Sequence, residues 1–136
     1  LSKFNCIQAC IDAHRKGGDE GLMLDPHGYV STCNSTHFFM VKDNSVLTST
    51  GDFCLHGVTR QNIIDICKTN SIPIYEKNFT LSDVYSSDEA FVTGTFGGVV
   101  PVYEIDGHEL KVLGDNSIVA LLQTYYNELV ELESSN

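Results

Sequence analysis

The run His37–Lys42, with the sequence HFFMVK, limits the folds that this chain can adopt. Four bulky apolar residues in a row, bounded by polar ends, are typical of a strand. The pair Asp43-Asn44 follows directly, and these residue types favour a tight turn. The next four residues, Ser45–Thr48, form a second strand-like segment. The sequence therefore predicts two adjacent strands joined by a two-residue turn.

Apolar residues elsewhere in the chain alternate between strand-like and helix-like spacing, and turn residues separate the segments. The predicted helices cover residues 4–14, 58–69, 80–85 and 117–132, and the further predicted strands cover 20–24, 29–33, 72–77, 90–93 and 99–105. Gly17-Gly18 ends the first helix, and Thr80 caps the third. We predict one mixed α/β (α+β) domain, 1–136, with a strand-built centre and outer helices.

Composition excludes several classes of function. The 136 residues are 42% hydrophobic and 19% charged, as in a globular protein, and no apolar run approaches the roughly 18 residues of a membrane span. The net charge of −10, without a stripe of Lys and Arg, disfavours nucleic acid and anionic membranes as partners. The five cysteines show no CxxC pair, which indicates reduced thiols in an intracellular protein. No His or Cys pair has metal-ligand spacing, so no metal is expected.

Two loops are candidate sites for an anion. In the first, Gly57 precedes Val58-Thr59-Arg60 at the predicted start of a helix, where unpaired N–H groups and the helix dipole favour negative charge. In the second, Val92-Thr-Gly-Thr-Phe-Gly-Gly98 follows a strand and is rich in N–H and hydroxyl donors. A simple helix cap and a tight connection between strands remain the alternatives. Together the loops predict an anionic cofactor or substrate.

Five segments of the chain resemble, in order, those of the class-IV (fold-type-IV) pyridoxal-phosphate aminotransferases, which include the branched-chain and D-amino-acid aminotransferases. They cover nearly the whole chain. The segments are DEGLMLDPHGYV from Asp19, NSTHFFMVKD from Asn34, GVTR from Gly57, DEAFVTGT from Asp88 and VVPVYEIDG from Val99. The resemblance implies the large carboxy-terminal domain of that fold, with a pseudo-barrel centre and outer helices. The family's small amino-terminal domain is not present in the sequence.

The resemblance also implies pyridoxal 5'-phosphate, a homodimer and an active site between two domains. By position, Gly57 and the N–H groups of Val58 and Thr59 would hold the cofactor phosphate, together with the hydroxyl of Thr95. Backbone groups of Thr95 and Phe96 would border the carboxylate of the substrate. An amino acid and a 2-oxo acid would exchange the amino group by ping-pong kinetics.

Three positions depart from the family pattern. The lysine that forms the Schiff base would fall about two residues before Leu1, so this chain alone is expected to be inactive. Lys3 matches the position that flanks the phenolic oxygen of the cofactor, and is either a cation beside the ring or a surface lysine. Thr32 stands where the family places a glutamate against the pyridine nitrogen, which predicts weaker stabilisation of a carbanion. The final glycine-rich turn is reduced to LGDNS from Leu113.

These departures leave three hypotheses. The first is an aminotransferase-like protein of which this chain is the large domain. The second is a family derivative that has lost catalysis and serves as a binding or structural protein. The third is a lyase of the aminodeoxychorismate type, which shares fold and cofactor. We expect the protein in the cytoplasm, or in mitochondria after removal of a presequence.

Overall fold

The computed structural model describes residues 8–13, 19–33, 37–50, 58–94, 98–110 and 116–134. This part of the chain forms nine strands and three helices. The strands are β1 (Gln8–Ala13), β2 (Asp19–Leu24), β3 (Val30–Cys33), β4 (His37–Lys42), β5 (Ser45–Thr48), β6 (Ile74–Glu76), β7 (Glu89–Gly94), β8 (Gly98–Ile105) and β9 (His108–Glu109). The helices are α1 (Val58–Thr69), α2 (Leu81–Tyr85) and α3 (Ile118–Ser134).

The described strands make one sheet in the order β3-β2-β1-β8-β7-β4-β5-β6, and β9 pairs with β8 outside that path. Neighbouring strands are antiparallel except β5 and β6, which are parallel. Helix α1 lies in the connection between β5 and β6, as a parallel pair requires. The predicted mixed α/β fold is confirmed.

The turn between β4 and β5 follows the expected geometry. Asp43 and Asn44 have φ angles of 51° and 62°, the left-handed pair that tight hairpins with two-residue loops favour. The predicted bounds of both strands, His37–Lys42 and Ser45–Thr48, are confirmed. The uninterrupted apolar run of β4 is explained by burial on both faces of the sheet.

Two clusters of buried side chains cover the two faces of the sheet. Phe38 and Met40 of β4 lie in the first cluster, which α2 helps to cover through Val84. Phe39 and Val41 lie in the second, where α1 and α3 pack against the sheet. The Phe39 ring stacks on a β7 ring, Phe91, with centroids 4.8 Å apart. Both faces of β4 are therefore packed against buried side chains, and the strand lies at the centre of the fold.

The two ends of the strand order are linked by hydrogen bonds. The N–H of Val30, in β3, donates to the carbonyl oxygen of Phe79, which follows β6, at 2.9 Å. The hydroxyl of Ser49, which follows β5, donates to the carbonyl oxygen of Ser31 in β3 at 2.9 Å. The sheet is therefore curved so that β3 approaches the β5–β6 end, while a closed pseudo-barrel stays a prediction.

The helix predicted over residues 4–14 is wrong where the chain is described, because residues Gln8–Ala13 form strand β1. The same residues fit a strand as well as a helix, since Ala9, Ile11 and Ala13 alternate with more polar neighbours. Pairing decides between the two, because β1 bonds to β2 on one side and to β8 on the other. Tertiary hydrogen bonding therefore overrides the local helical spacing.

The predicted helices at 58–69, 80–85 and 117–132 are confirmed as α1, α2 and α3, with small shifts of their ends. Thr80 caps α2 as expected, in a reciprocal arrangement with Asp83. The inner face of α3 packs against the second cluster, to which Ile118, Tyr125 and Leu129 contribute as partly buried residues. Val119 and Leu122 are its buried residues, whereas Leu121 remains 41% exposed.

Candidate functional site

The first turn of α1 is the described part of the first predicted anion loop. Val58 is 80% exposed, Thr59 is half-buried, and the turn contains no acidic residue. The first N–H groups of a helix have no acceptor within it, and the helix dipole places partial positive charge there. This turn therefore offers donors and a positive potential to an anion, as the sequence predicted.

Arg60, the third residue of α1, is only 2% exposed. Its Nη2 donates to the carbonyl oxygen of Ser49 at 2.8 Å and to Oε1 of Glu76 at 2.9 Å. The Glu76 side chain is 44% exposed. Arg60 thus ties the start of α1 to the ends of β5 and β6. Its Nε is buried and has no hydrogen-bond partner in the described structure.

The sequence predicted no role for Arg60 beyond its place in the GVTR motif. A charged residue at a helix start is ordinarily expected at the surface, because burial of an unpaired charge is costly. The sequence held one indication that Arg60 is buried, namely its position in the GVTR segment that resembles the family.

Ser49 connects the first turn of α1 with β3. Its carbonyl oxygen accepts from Arg60, and its hydroxyl donates to the carbonyl oxygen of Ser31. Ser31 is the neighbour of Thr32, which pairs with Met23 of β2. Two hydrogen bonds from side chains to backbone carbonyls therefore link the first turn of α1 to the strand that carries Thr32.

The second predicted loop joins β7 to β8. Gly94 pairs with Gly98 in antiparallel register, so the connection between the strands consists of residues 95–97. Gly98 has a φ of +57°, the left-handed conformation that favours glycine. Thr93, just before the connection, is 1% exposed, and its hydroxyl has no hydrogen-bond partner in the described structure. The register thus leaves three residues between the two strands, and the suitability of this loop for an anion stays a prediction.

Among the predicted site residues, the backbone of Thr32 lies in β3, and Val58 and Thr59 open α1. Lys3, Gly57, Thr95 and Phe96 lie outside the described residues. The structure therefore brings the α1 start near β3, and the assignments of the remaining residues stay predictions.

Within the described ranges, no three His, Cys, Asp or Glu side chains are placed to hold a metal ion. The described helices include none that is long and apolar enough to cross a bilayer. Cys67 is fully buried in α1, and burial raises the pKa of its thiol to about 12. At neutral pH this thiol is protonated, so it is not a nucleophile.

Comparison with known proteins places these features in a family. The family model of the amino-transferases of class IV matches residues 1–105. The chain belongs to the class IV aminotransferase family. The matched region contains both predicted anion loops, β3 with Thr32, and all described strands up to the end of β8.

Two relatives illustrate the range of the class IV aminotransferases. A branched-chain-amino-acid aminotransferase of Pseudomonas aeruginosa is 36% identical over 127 residues, which cover 93% of this chain and 41% of the relative. A D-alanine aminotransferase of Listeria innocua is 34% identical over 129 residues, which cover 94% of this chain and 44% of the relative. The chain thus spans less than half the length of these relatives.

A solved structure agrees with the fold. The T.th. branched-chain amino acid aminotransferase, complexed with N-(5'-phosphopyridoxyl)-L-glutamate, superposes with a TM-score of 0.76 and 31% identity. The match covers 83% of this chain and 38% of that structure. The fold-type-IV architecture expected from the sequence is confirmed for the part of the chain that is matched.

Proposed function

We propose that the protein carrying this chain is a pyridoxal-phosphate-dependent aminotransferase, which transfers an amino group between an amino acid and a 2-oxo acid. In this proposal the chain is the cofactor-binding large domain. The observation that carries it is the first turn of α1, where the exposed Val58 opens the helix and the buried Arg60 is its third residue. The T.th. relative, crystallised with a phosphopyridoxyl amino acid, supports this choice of cofactor.

The residues present fit a phosphorylated cofactor. Arg60 is a buried cation in the first turn of a helix, where the dipole disfavours positive charge, and its only ion-pair partner in the described structure is the half-exposed Glu76. A phosphate dianion in front of this turn would interact favourably with the helix dipole. It would also balance the part of the Arg60 charge that the half-exposed Glu76 leaves uncompensated. The N–H groups of Val58 and Thr59, Gly57 and the hydroxyl of Thr95 would hold that phosphate.

Bound pyridoxal phosphate supplies an electron sink that stabilises a carbanion at the carbon that bears the amino group. The residues of the chain would orient the substrate around it. Backbone groups of Thr95 and Phe96 would face the substrate carboxylate, and Lys3 would place a positive charge beside the phenolic oxygen. The lysine that moves the proton in this family corresponds to a position before Leu1, so the proposal concerns the longer protein.

Thr32 would face the pyridine nitrogen in place of the family's glutamate. A carboxylate keeps this nitrogen protonated, whereas a neutral hydroxyl can only share a hydrogen bond with it. We therefore expect transamination to be slower than in relatives that have the glutamate. The same residue supports a second candidate function, a family derivative that binds the cofactor without turnover.

Small-molecule amino acids and 2-oxo acids are the proposed substrates. A homodimer is proposed from the family, and sedimentation of the purified protein would test it. A cytoplasmic location is proposed from the scattered cysteines without CxxC spacing.

An absorbance spectrum tests the proposal. The full-length gene product, incubated with pyridoxal phosphate and passed through a desalting column, should retain a Schiff-base band that borohydride abolishes. Loss of all cofactor absorbance on the column would contradict the proposed function.

Thr32→Glu separates the two candidate functions. In an aminotransferase this variant should transaminate faster, by about tenfold if the carboxylate strengthens the electron sink by 1.4 kcal/mol. Thr32→Gln is the matched control, because it has the size of glutamate without the charge, and it should leave the rate near that of the natural protein. A cofactor-loaded protein that transaminates in neither form would support the derivative without turnover.

A further inference from the structure

The position of Arg60 is electrostatically unfavourable in the described structure alone. Arg60 is the third residue of α1 and only 2% exposed, and the dipole disfavours a positive charge in the first turn of a helix. The described acid that it contacts, Glu76, is itself 44% exposed and thus partly screened by water. If Arg60 served only to form an ion pair with Glu76, its positive charge would gain nothing from a position at the amino end of α1.

The contacts of Arg60 have a second consequence, because they join two points of the chain that flank the first anion loop. Ser49 is the residue that leaves β5, and Arg60 is the third residue of the helix that follows. One nitrogen, Nη2, donates to the Ser49 carbonyl at 2.8 Å and to Glu76 at 2.9 Å. Arg60 therefore fixes the first turn of α1, which contains Val58 and Thr59, against the ends of β5 and β6.

Both acceptors are themselves held by the sheet. Thr48, which precedes Ser49, pairs with Glu76 in the parallel register of β5 and β6. The N–H of Lys77 donates to the carbonyl oxygen of Thr48 at 3.0 Å. The guanidinium thus attaches the start of α1 to a part of the sheet that backbone hydrogen bonds hold in place.

We propose that Arg60 is a positioning residue for the cofactor phosphate. It holds the first turn of α1 against the ends of β5 and β6, so that the N–H groups of Val58 and Thr59 meet the phosphate oxygens. This inference rests on the proposed function, and it adds a residue to which the resemblance gave no role. The planar guanidinium fixes the directions of the two Nη2 donors, one toward Ser49 and one toward Glu76, whereas the rotating ammonium of a lysine leaves them unfixed.

The test compares two ligands that differ only in the phosphate. Dissociation constants for pyridoxal phosphate and for pyridoxal are measured by equilibrium dialysis on the full-length protein and its variants. In Arg60→Met, we expect the preference for pyridoxal phosphate over pyridoxal to fall by about tenfold or more, since both charge and geometry are lost. In Arg60→Lys, which keeps the charge, we expect a severalfold loss. Pyridoxal itself should bind equally well to all of them.

Glu89→Gln is the matched control, because Glu89 is a buried acid of β7 that accepts hydrogen bonds from Ser117 and Ile118 at the start of α3, outside the proposed site. It should lower the melting temperature without changing the preference between the two ligands. The inference is overturned if Arg60→Met keeps the full preference, or if Arg60→Lys does, since charge alone would then suffice. A natural protein without any preference for the phosphorylated ligand would instead refute the proposed function.

Discussion

The carboxylate of Glu89, the first residue of β7, accepts a hydrogen bond from the hydroxyl of Ser117, the residue before α3. Its second oxygen accepts the N–H of Ile118 at 3.0 Å, and the Ser117 hydroxyl in turn accepts the N–H of Ala120 at 3.1 Å. Glu89 is 6% exposed. A buried negative charge thus lies at the amino end of a 17-residue helix, where the helix dipole favours it. The contact attaches α3 to the sheet.

Replacing this carboxylate should destabilise the domain. Glu89→Gln keeps the shape but removes the charge, and we expect a loss of about 1–3 kcal/mol in the free energy of unfolding. Urea denaturation followed by circular dichroism measures it. Glu109→Gln, at an exposed position in β9, is the control and should change the midpoint little. An unchanged midpoint for Glu89→Gln would show that the buried charge does not stabilise α3.

The capping box of α2 provides a prediction with a pH dependence. The Thr80 N–H donates to Oδ2 of Asp83 at 2.9 Å, and the Asp83 N–H donates to the Thr80 hydroxyl at 3.3 Å. The hydrogen bond from the Thr80 backbone, opposed by a smaller desolvation effect, lowers the pKa of Asp83 below its ordinary 3.8. The unfolded state then takes up the proton first as the pH falls. The contribution of Asp83 is therefore complete well above pH 3.8 and is lost as the pH falls through the lowered value.

Thr80→Ala should lower the free energy of unfolding by about 1 kcal/mol at neutral pH. Asp83→Asn should lower it at neutral pH as well, and the difference from the natural protein should shrink below pH 3.8. Unfolding curves at several pH values test both. Ser82→Ala, at an exposed position of α2, serves as the control. A gap between Asp83→Asn and the natural protein that stays constant down to strongly acidic pH would contradict the assignment.

We expect the Cys67 thiol to be unreactive in the folded protein. We also expect it to lower the free energy of unfolding at alkaline pH. Burial raises the pKa of its thiol from 9.0 to about 12, so an unfolded chain loses this proton at a pH where the folded chain keeps it. The free energy of unfolding should therefore decrease as the pH rises above 9. Cys67→Ala should show a smaller decrease over the same range.

Iodoacetamide labelling with peptide mapping gives an independent readout for Cys67. The peptide that contains it should remain unlabelled at pH 8 in the folded protein and become labelled in urea, because the thiolate is the reactive form. Rapid labelling without denaturant would show that the thiol is accessible.

Two glycines with positive φ provide a matched pair of substitutions. A Cβ at Gly98, where φ is +57°, would lie 3.1 Å from Cε2 of Tyr126, whereas a Cβ at Gly107, where φ is +82°, would meet nothing within 4 Å. Gly107→Ala should therefore cost only the strain of the backbone, about 1–2 kcal/mol. Gly98→Ala should cost more, and Tyr126→Leu in the same chain should recover part of the difference. Equal costs for the two glycines would show that the ring moves away freely.

The hydroxyl of Thr93 is buried without a hydrogen-bond partner in the described structure, and removing it should not harm the fold. Thr93→Val keeps the shape, and we expect unchanged or slightly higher stability, because an unsatisfied polar group costs about 1–3 kcal/mol when buried. Thr93→Ser, which keeps the hydroxyl and removes a methyl group, is the comparison and should be less stable. A clear loss in Thr93→Val would reveal a partner for the hydroxyl.

Local chemistry explains which elements the sequence predicted correctly. The turn at Asp43-Asn44 and the cap at Thr80 depend on residues that are near one another in the chain, so their bounds were predictable. Helix α1 was predictable because Ile63, Ile64 and Cys67 recur at helical spacing, and all three are buried.

Long-range contacts explain what the sequence could not predict. The spacing in Gln8–Ala13 suits two structures, and the choice depends on β8 at the other end of the chain. Burial of Arg60 depends on acceptors in β5 and β6 that come together only in the fold. The anion loops were identified from glycine and hydroxyl content, but the positioning contact behind the first loop involves a backbone carbonyl, which no sequence pattern marks.

The place of β1 between β2 and β8 has a consequence for how the protein is made. The sheet consists of an amino-terminal group of strands, β3-β2-β1, and a later group that runs from β8 to β6, and the pairing of β1 with β8 joins them. On the ribosome, β1 emerges before the other described strands of the sheet path, and β8 emerges after all of them. The edge of β1 that faces β8 therefore stays unpaired until β8 has been made, and an unpaired strand edge exposes a nascent chain to aggregation.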